Sequence, residues 1–594
     1  MGKRRRGCDG ESGNRRRESR AVAADAISGR AGPTFPGAGN VAPPPSRYLS
    51  PQYALRERVM IHSDFQRLRE GLRSVIEEAR LDWEPLVGLE IHAQISANSK
   101  LFSRSSTDYT RPANECVSPF DAGEPGTLPV VNRACVVSAV RTALGLNCRI
   151  NLVSKFDRKH YFYFDLPAGY QITQHRIPIA VDGHLDYYVN PIGEVPYLKR
   201  SRILRLQLEQ DSGRSYHDQE NDRTLINLNR AGVGLMEIVS EPNMKSGIEA
   251  ECFMQSIKLL LTSLGTCSGH MERGELRVDA NISVGRGCRG SGQDALGSGG
   301  TIVEVKNLNS FRYLRDAVDL EVARQTEVLE RGGTVTNETR YYNPKEELTY
   351  PLRDKQVYHD YRYLPEPNLP PLRLYSDDTL KTGSQPLPQV DSDQIINVDR
   401  LRETLPPSPL TLWQRHLVER GADLRLTVLL MYDYEWGPMV LKVAEEFPEC
   451  PVAILVDIVW TDARAAMKTA RLKFSQNFTS QNLYDIVDLL VQEKIARPLV
   501  ETLIRLSMKG SIDVREMVER NGWYRIRDPM EIERICAIVK SENPKFTEEY
   551  HRKTKGSKKQ EAILEQLVKK VLLKSTNRIS VEDVSPIMHD VLWR

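Results

Sequence analysis

Four stretches of this chain place carboxylates where an alternating strand would aim them to one side. In residues 87–95, Val87, Leu89, Ile91, Ala93 and Ile95 alternate with Gly88, Glu90, His92 and Gln94. Successive strand side chains point to opposite faces, so Glu90, His92 and Gln94 share one face. In residues 203–211, Leu204, Leu206 and Leu208 oppose Arg205, Gln207, Glu209 and Asp211. In residues 275–283, Leu276, Val278, Ala280 and Ile282 oppose Glu275, Arg277, Asp279, Asn281 and Ser283. Residues 301–306 put Glu304 and Lys306 together. One such strand is a half-buried antiparallel strand with a wet outer face. Four are harder to dismiss. Asp and Asn are poor strand residues, and clustered carboxylates repel unless a cation or basic groups neutralise them. A sheet lined by Glu90, Glu209, Asp279 and Glu304 would hold a divalent ion, and hard oxygen donors favour Mg2+ or Mn2+. His92, two residues from Glu90, could add a nitrogen ligand.

A second cluster is Lys155-Phe-Asp-Arg-Lys-His-Tyr-Phe-Tyr-Phe-Asp165. Lys155, Arg158 and Lys159 are candidate phosphate ligands, with Arg277 and Lys306 on the acidic strands beside them. The aromatic residues could stack on a base or pack in a core, and core packing is expected for Phe162 and Phe164. No G-x-x-x-x-G-K-[ST] phosphate loop is present, and Gly-Lys occurs only at Gly2-Lys3. Carboxylates with basic residues and no phosphate loop suggest metal-assisted phosphoryl transfer. A metal-dependent hydrolase or nuclease fits the same residues.

These strands need a large body to hold them. The chain has 594 residues, enough for three or four domains at roughly 100–200 residues each. Hydrophobic residues make up 40% and charged residues 27%, as in an ordinary globular protein. No apolar run approaches the ~18 residues needed to span a bilayer, so an integral helical membrane protein is excluded. Net charge is +3, so any RNA contact must come from a local patch. The nine cysteines form no C-x-x-C pair, which argues against a disulfide scaffold or a structural zinc site.

The expected class is α+β: a β-rich cradle, then an all-α domain, then a small helical tail. Residues 1–82 read as an unfolded leader, Arg-rich at its start like an organelle transit segment. The cradle is expected over 83–400, a helical domain over 401–500 and a tail over 501–594. A Gly/Ser-rich insert from Gly285 to Gly300 reads as a hairpin loop, and 313–333 as an amphipathic helix ended by Gly332-Gly333. Residues 340–390 show little periodicity. At the end, Ile563, Leu564, Leu567, Val568, Val571 and Leu572 form a helical stripe. Between 550 and 575, eight Lys and Arg face only Glu561 and Glu565, an excess that suits RNA phosphates.

Several long motifs stand in order: Val87-Gly-Leu-Glu-Ile-His-Ala-Gln94, Lys155-Phe-Asp-Arg-Lys159 with Gly169-Tyr-Gln-Ile172, Glu237-Ile-Val-Ser-Glu-Pro242, Arg277-Val-Asp-Ala-Asn-Ile-Ser283, Lys306-Asn-Leu-Asn-Ser-Phe311 and Asp360-Tyr-Arg-Tyr-Leu-Pro-Glu-Pro-Asn-Leu-Pro370. From about residue 83 to the end, the chain resembles the B-subunit family (GatB) of the Glu-tRNA(Gln) amidotransferase, in its mitochondrial form. The resemblance implies a complex with two partners, an amidase known as the A subunit and a small C subunit. It implies conversion of Glu-tRNA(Gln) to Gln-tRNA(Gln) with ATP and Mg2+. The amidase would release ammonia from glutamine. The B subunit would bind the mischarged tRNA and phosphorylate the glutamyl side chain, and ammonia would displace the phosphate. Carried over residue by residue, the metal ligands fall on Glu90, His92, Glu209, Asp279 and Glu304, with Glu90, Glu209 and Asp279 catalytic. The tail resembles a tRNA-binding module, with Lys555, Lys558 and Lys559 as its contacts.

The family usually reads Glu-Glu-Asp where this chain has Glu209-Gln210-Asp211. Alternation puts Gln210 on the apolar side, which favours Glu209 as the ligand. Some members carry zinc-binding cysteines near Cys116; here Val117-Ser-Pro119 follows, and the pair is broken. The motif ends Leu364-Pro-Glu-Pro-Asn368 rather than in Asp. A noncatalytic tRNA-holding subunit is the competing reading, and a free-standing hydrolase a third.

Overall fold

The computed structural model describes residues 83–286, 300–354, 362–386, 394–554 and 556–593. The expected leader, most of the Gly/Ser-rich insert, Asp360, Tyr361 and Lys555 lie outside the described residues.

Sixteen strands are described: β1 (Trp83–Gln94), β2 (Arg149–Ile150), β3 (Val153–Ser154), β4 (Asp157–His160), β5 (Tyr170–Thr173), β6 (Ala180–Val189), β7 (Tyr197–Gln210), β8 (Arg214–Asp218), β9 (Arg223–Asn227), β10 (Gly234–Ser240), β11 (Leu276–Arg286), β12 (Val303–Leu308), β13 (Glu338–Asn343), β14 (Leu348–Asp354), β15 (Tyr363–Pro365) and β16 (Leu372–Arg373). Nine of them form one sheet in the order β14-β13-β12-β11-β1-β10-β7-β6-β2. β1 lies inside it, antiparallel to β10 on one side and β11 on the other. β12 and β13 run parallel, joined by a crossover helix.

Three helices cover one face: α1 (Arg133–Gly145), α2 (Gly247–Ser263) and α3 (Phe311–Glu330). Side-chain oxygens of Asn132 and Ser246 accept from Ala134 N and Glu249 N, capping the first two where orphan amides would otherwise face outward. The apolar sides of the alternating strands, including Val87, Leu89, Ile91, Val278, Ala280 and Ile282, pack against Phe253, Met254 and Val318 of these helices. The acids of β1, β7 and β11 therefore point away from the helices. Leu204 departs from the expected alternation. The β7–β10 register shifts there, Ile203 takes the core position, and Leu204 is exposed.

A three-stranded sheet, β15-β4-β5, stands beside the uncovered face, with β5 against β7. The helix expected over 313–333 is α3, ended by Gly332 at φ 73°. The aperiodic stretch after it holds β13 and β14, whose pattern is broken by a register shift at Thr339/Arg340. From Val398 the described chain is helical. One apolar cluster runs from Trp413 to Val518 and a separate one from Ile526 to Leu592, including five residues of the stripe on the helix Lys558–Lys574. Among the described residues, no helix is long and apolar enough to cross a membrane.

Candidate active site

Residues directly opposite in an antiparallel pair project to the same face. β1 uses this twice. Glu90 is opposite Asp279 of β11, and His92 is opposite both Arg277 of β11 and Glu237 of β10. The pattern continues outward, with Glu237 opposite Gln207 of β7, Leu235 opposite Glu209, and Glu304 of β12 opposite Asn281. Five neighbouring strands thus carry Glu304, Asp279, Glu90, Glu237 and Glu209 in one band across the uncovered face.

Within the band, Glu90, His92 and Glu237 each offer a ligand atom, and these atoms lie within 4.8 Å of one another. His92 Nε2 is 3.7 Å from Glu90 Oε1 and 3.9 Å from Glu237 Oε2. Glu209 adjoins them. It shares a hydrogen bond with Glu237 and accepts from Thr173 Oγ1 at 3.1 Å. Gln207 Nε2 donates to Glu237 Oε2 at 2.8 Å.

Two buried carboxylates in contact cannot both stay charged cheaply. Burial drives the Glu237 carboxyl well above the usual carboxylate range, and the charges of Glu209 and Glu90 add to this. Burial also opposes the charge of Glu209, but the hydrogen bond with Glu237 and the charges of Lys159 and His92 outweigh it and hold Glu209 below its ordinary value. The coupling thus raises Glu237 and lowers Glu209, as expected of two carboxyls in contact away from water. Lys159 of β4 faces both acids, and despite burial their charges raise its pKa.

Of the other expected residues, Lys306, Asp279, Arg277 and Arg158 are engaged by neighbouring side chains. Lys306 Nζ lies 2.8 Å from Glu304 Oε1 and 3.4 Å from Asp279 Oδ2. A register shift between β11 and β12 puts Asn307 in the left-handed region at φ 62°, and its N–H donates to Asp279 Oδ1 at 3.0 Å. Arg277 donates to Asp211 Oδ1 at 3.0 Å, while Arg230 stands 3.5 Å from Asp211 Oδ2 and Gln94 donates to that oxygen at 2.8 Å. Arg158 makes a two-pronged contact with buried Glu366, at 2.7 and 3.0 Å, and its guanidinium lies over the Tyr170 ring. Lys155 is exposed between β3 and β4. In the tail Lys558 and Lys559 are exposed at a helix start, whereas Arg552, Lys553 and Lys574 pair with Glu548, Glu549 and Glu542.

Gln210 is not part of the band. Its Oε1 accepts from Ile172 N at 3.0 Å, closing the edge of β7 against β5. Phe162 and Phe164 correct the expectation of core packing. They are 88% and 78% exposed, because the β4–β5 connection turns outward between Tyr161 and Gly169.

Two residues were missed. Glu237 sits in Gly-Leu-Met-Glu-Ile-Val-Ser, where almost every position is buried and alternation gives no signal. The available clue was a lone carboxylate in a strand otherwise fit for a core. Glu366 lies in the Leu-Pro-Glu-Pro-Asn motif and holds Arg158 across 208 residues of chain.

Residues 85–379 match the family described as GatB/GatE catalytic domain, and residues 442–587 match the GatB domain. The B subunit of the mitochondrial glutamyl-tRNA(Gln) amidotransferase of Homo sapiens is 43% identical over 473 residues, 78% of this chain and 81% of the relative. Its counterpart in Danio rerio is 40% identical over 86% of this chain and 89% of the relative. The B subunit of an aspartyl/glutamyl-tRNA(Asn/Gln) amidotransferase of Beijerinckia indica is 38% identical over 79% of this chain and 90% of the relative. With one matched segment on the acidic sheet, another on the helical C-terminal part, and identities of this size over most of its length, the chain belongs to the B-subunit family of the glutamyl-tRNA(Gln) amidotransferases.

Proposed function

We propose that the acidic band activates the glutamyl side chain of Glu-tRNA(Gln) with ATP, as the B subunit of a multi-subunit mitochondrial amidotransferase. The supporting observation is the convergence of Glu90, His92 and Glu237 beside Glu209. These residues fit a divalent cation: three ligand atoms lie within reach of one ion, and crowded carboxylates drive the buried Glu237 carboxyl well above its usual range. Glu90, His92 and Glu237 would hold Mg2+, with Glu209 next to them and Asp279 and Glu304 one and two strands away. When bound, the ion neutralises and clamps phosphate oxygens.

The rest is the work of the chain itself. A carboxylate has no leaving group and repels nucleophiles. Transfer of the γ-phosphoryl group forms an oxygen–phosphorus bond to the glutamyl carboxylate and breaks the bond to ADP. Ammonia then forms the carbon–nitrogen bond and phosphate leaves. In-line positioning supplies much of such catalysis. Lys159 and Lys306 present cations from opposite ends of the band, and Lys155 another from the β3–β4 link. Arg158 and Arg277, fixed on Glu366 and Asp211, set the walls that aim them. The small sheet over β7 keeps water from the acyl phosphate. The ammonia would come from the amidase partner, the A subunit, with the small C subunit completing the assembly. Exposed Lys558 and Lys559 would meet tRNA phosphates, in a tail part that follows the cradle and helical parts.

The test is co-expression with candidate A and C subunits, followed by ATP-dependent conversion of Glu-tRNA(Gln). Asp279→Ala in that complex should abolish activation and spare glutaminase activity in the partner. Full amidation by the variant refutes the assignment of the band.

A further inference from the structure

The β4–β5 hairpin carries Lys159 toward the acids and then exposes consecutive rings. Phe162 is 88% exposed, Tyr163 54% and Phe164 78%. Loose structure does not explain this. Tyr161 N donates to Gly169 O, Leu166 N to Tyr163 O, and Gly169 N to Leu166 O. The loop is also tied to the strand end next to the site, since Gly213 N donates to Asp165 O at 2.9 Å and Ser215 Oγ to Asp165 Oδ2 at 3.3 Å. The Phe162 ring edge lies over Gly169, at φ 72°, where a Cβ would come within 3.1 Å of it. Leaving large aromatic surface in water forgoes burial that folding normally takes up. A pinned loop that holds these rings outward calls for an occupant.

We infer that Phe162 and Phe164 stack on the unpaired 3′-terminal bases of the tRNA substrate and so position its aminoacyl end over the acidic band. The inference rests on the function proposed above. Two residues past the end of β4, Phe162 lies at most about 10 Å along the chain from Lys159. A glutamyl side chain, its ester and one ribose span about that length at ordinary bond lengths. A terminal base at the rings therefore leaves the glutamyl carboxylate near Lys159 and Glu237. Single-stranded ends offer bases free to stack on aromatic faces, and exposed Lys155 on the same segment supplies positive charge for an adjoining phosphate.

The test uses the assembled complex with three double variants: Phe162→Ala/Phe164→Ala, Phe162→Leu/Phe164→Leu and Phe162→Trp/Phe164→Tyr. Affinity is measured for intact tRNA(Gln) and for the same tRNA lacking its 3′-terminal nucleotide. The wild-type complex should prefer the intact tRNA by at least about fivefold, the lower end of one stacking contact. Alanine and leucine variants should lose that preference, and the Trp/Tyr variant should keep it, while KM for ATP, glutaminase activity and subunit stoichiometry stay unchanged. Equal preference in all variants overturns the inference. So does a raised KM for ATP with tRNA affinity intact, which would seat the adenine of ATP on the rings. Weakened assembly in the alanine variant that leucine restores also overturns it, since a protein partner would then cover them. A wild-type complex that makes no Gln-tRNA(Gln) refutes the proposed function separately, and the ring comparison still reads out from tRNA affinity.

Discussion

Glu237→Gln removes one charge from the centre of the band and keeps its shape. The amide oxygen can still accept from Gln207, and the amide nitrogen can donate to Glu209 in place of the present proton. A unit charge about 4 Å from a divalent cation is worth about 8 kcal/mol at an effective dielectric constant of ~20, before the cost of stripping water from the ion. Against this, wild-type Glu237 must first lose its proton, because burial and the charges of Glu209 and Glu90 hold its carboxyl well above the usual range. That costs about 1.4 kcal/mol for each pH unit below its folded pKa. The visible loss near neutrality should thus be smaller than the full charge effect and should grow with pH. The proton provides an independent signature. Wild-type affinity for Mg2+ or Mn2+ should rise about tenfold per pH unit below the Glu237 pKa, then level off, with about one proton released per ion. The variant should show neither. Folding shifts the opposite way. An acid whose folded pKa is raised binds more protons folded than unfolded, so its contribution to stability is lost as pH rises through that folded pKa. The metal-free variant should therefore lose less stability than wild type as pH rises from the ordinary carboxylate range to that folded pKa. Calorimetric titration of the ion in two buffers of different ionisation enthalpy measures affinity and proton release together. Unchanged affinity with unchanged proton release in the variant would show that no ion sits here.

Four further outcomes are expected. Glu366→Ala should strand half-buried Arg158, costing about 3 kcal/mol, the low end for breaking a buried pair; hydrogen exchange at β4 and β15 should quicken by roughly 10², and amidation should fall while glutaminase persists. Gln210→Glu should leave ion affinity nearly unchanged because the side chain bonds to β5, and a gain of 10² or more would place it in the site. Lys558→Ala/Lys559→Ala should weaken tRNA binding across sequences and lower the salt slope by about 1 per lost phosphate contact; an unchanged slope removes these lysines from the interface. Lys306→Met should raise KM for ATP with little change in ion affinity if the lysine serves phosphate, and an ion affinity increased by 10² would instead mean that it competes with the ion for Asp279 and Glu304.

Much of the site was legible because β1 and β11 each keep one face apolar against the helices, and alternation then dictates which acids face away. Strand type followed from composition, and the helical half from periodicity. Three things were not legible. β10 is buried along nearly its whole length, so the position of Glu237 carries no period-two signal. Strand order was hidden too, since β1 pairs with β10 and β11 far along the chain, and such pairing depends on distant surfaces rather than local pattern. The engagement of the cations was the third. Lys306 reaches Asp279 through a register shift that no spacing rule reveals, and Arg158 finds Glu366 only because β15 pairs with β4. The outward rings of Phe162 and Phe164 were misjudged because an aromatic run inside a strand-like segment looks the same whether it enters a core or rims a site.

The charges of the band say where an ion belongs. At one end Asp279 and Glu304 share Lys306. Outside the band, Asp211 is held below its usual range, against its burial, by Arg277 and Arg230 together with Gln94. Both groups are compensated by side chains of the protein itself. In the remaining stretch, Glu90, Glu209 and Glu237 meet Lys159, His92 and, 4.0 Å from Glu237 Oε1, Arg205, and burial with the neighbouring carboxylates still pushes the Glu237 carboxyl well above the usual range. Burial and nearby like charge raise a carboxyl's pKa, so Glu237 marks the stretch of the band where acids crowd one another. A structural sheet has no reason to bury Glu209 and Glu237 in contact, with half-buried Glu90 beside them, because replacing them by apolar residues would be neutral or stabilising. The crowding is intelligible when a divalent cation and phosphate arrive together: Glu90, His92 and Glu237 would hold the ion, and Lys159 and Lys306, whose pKa values the acids raise, would flank the phosphate.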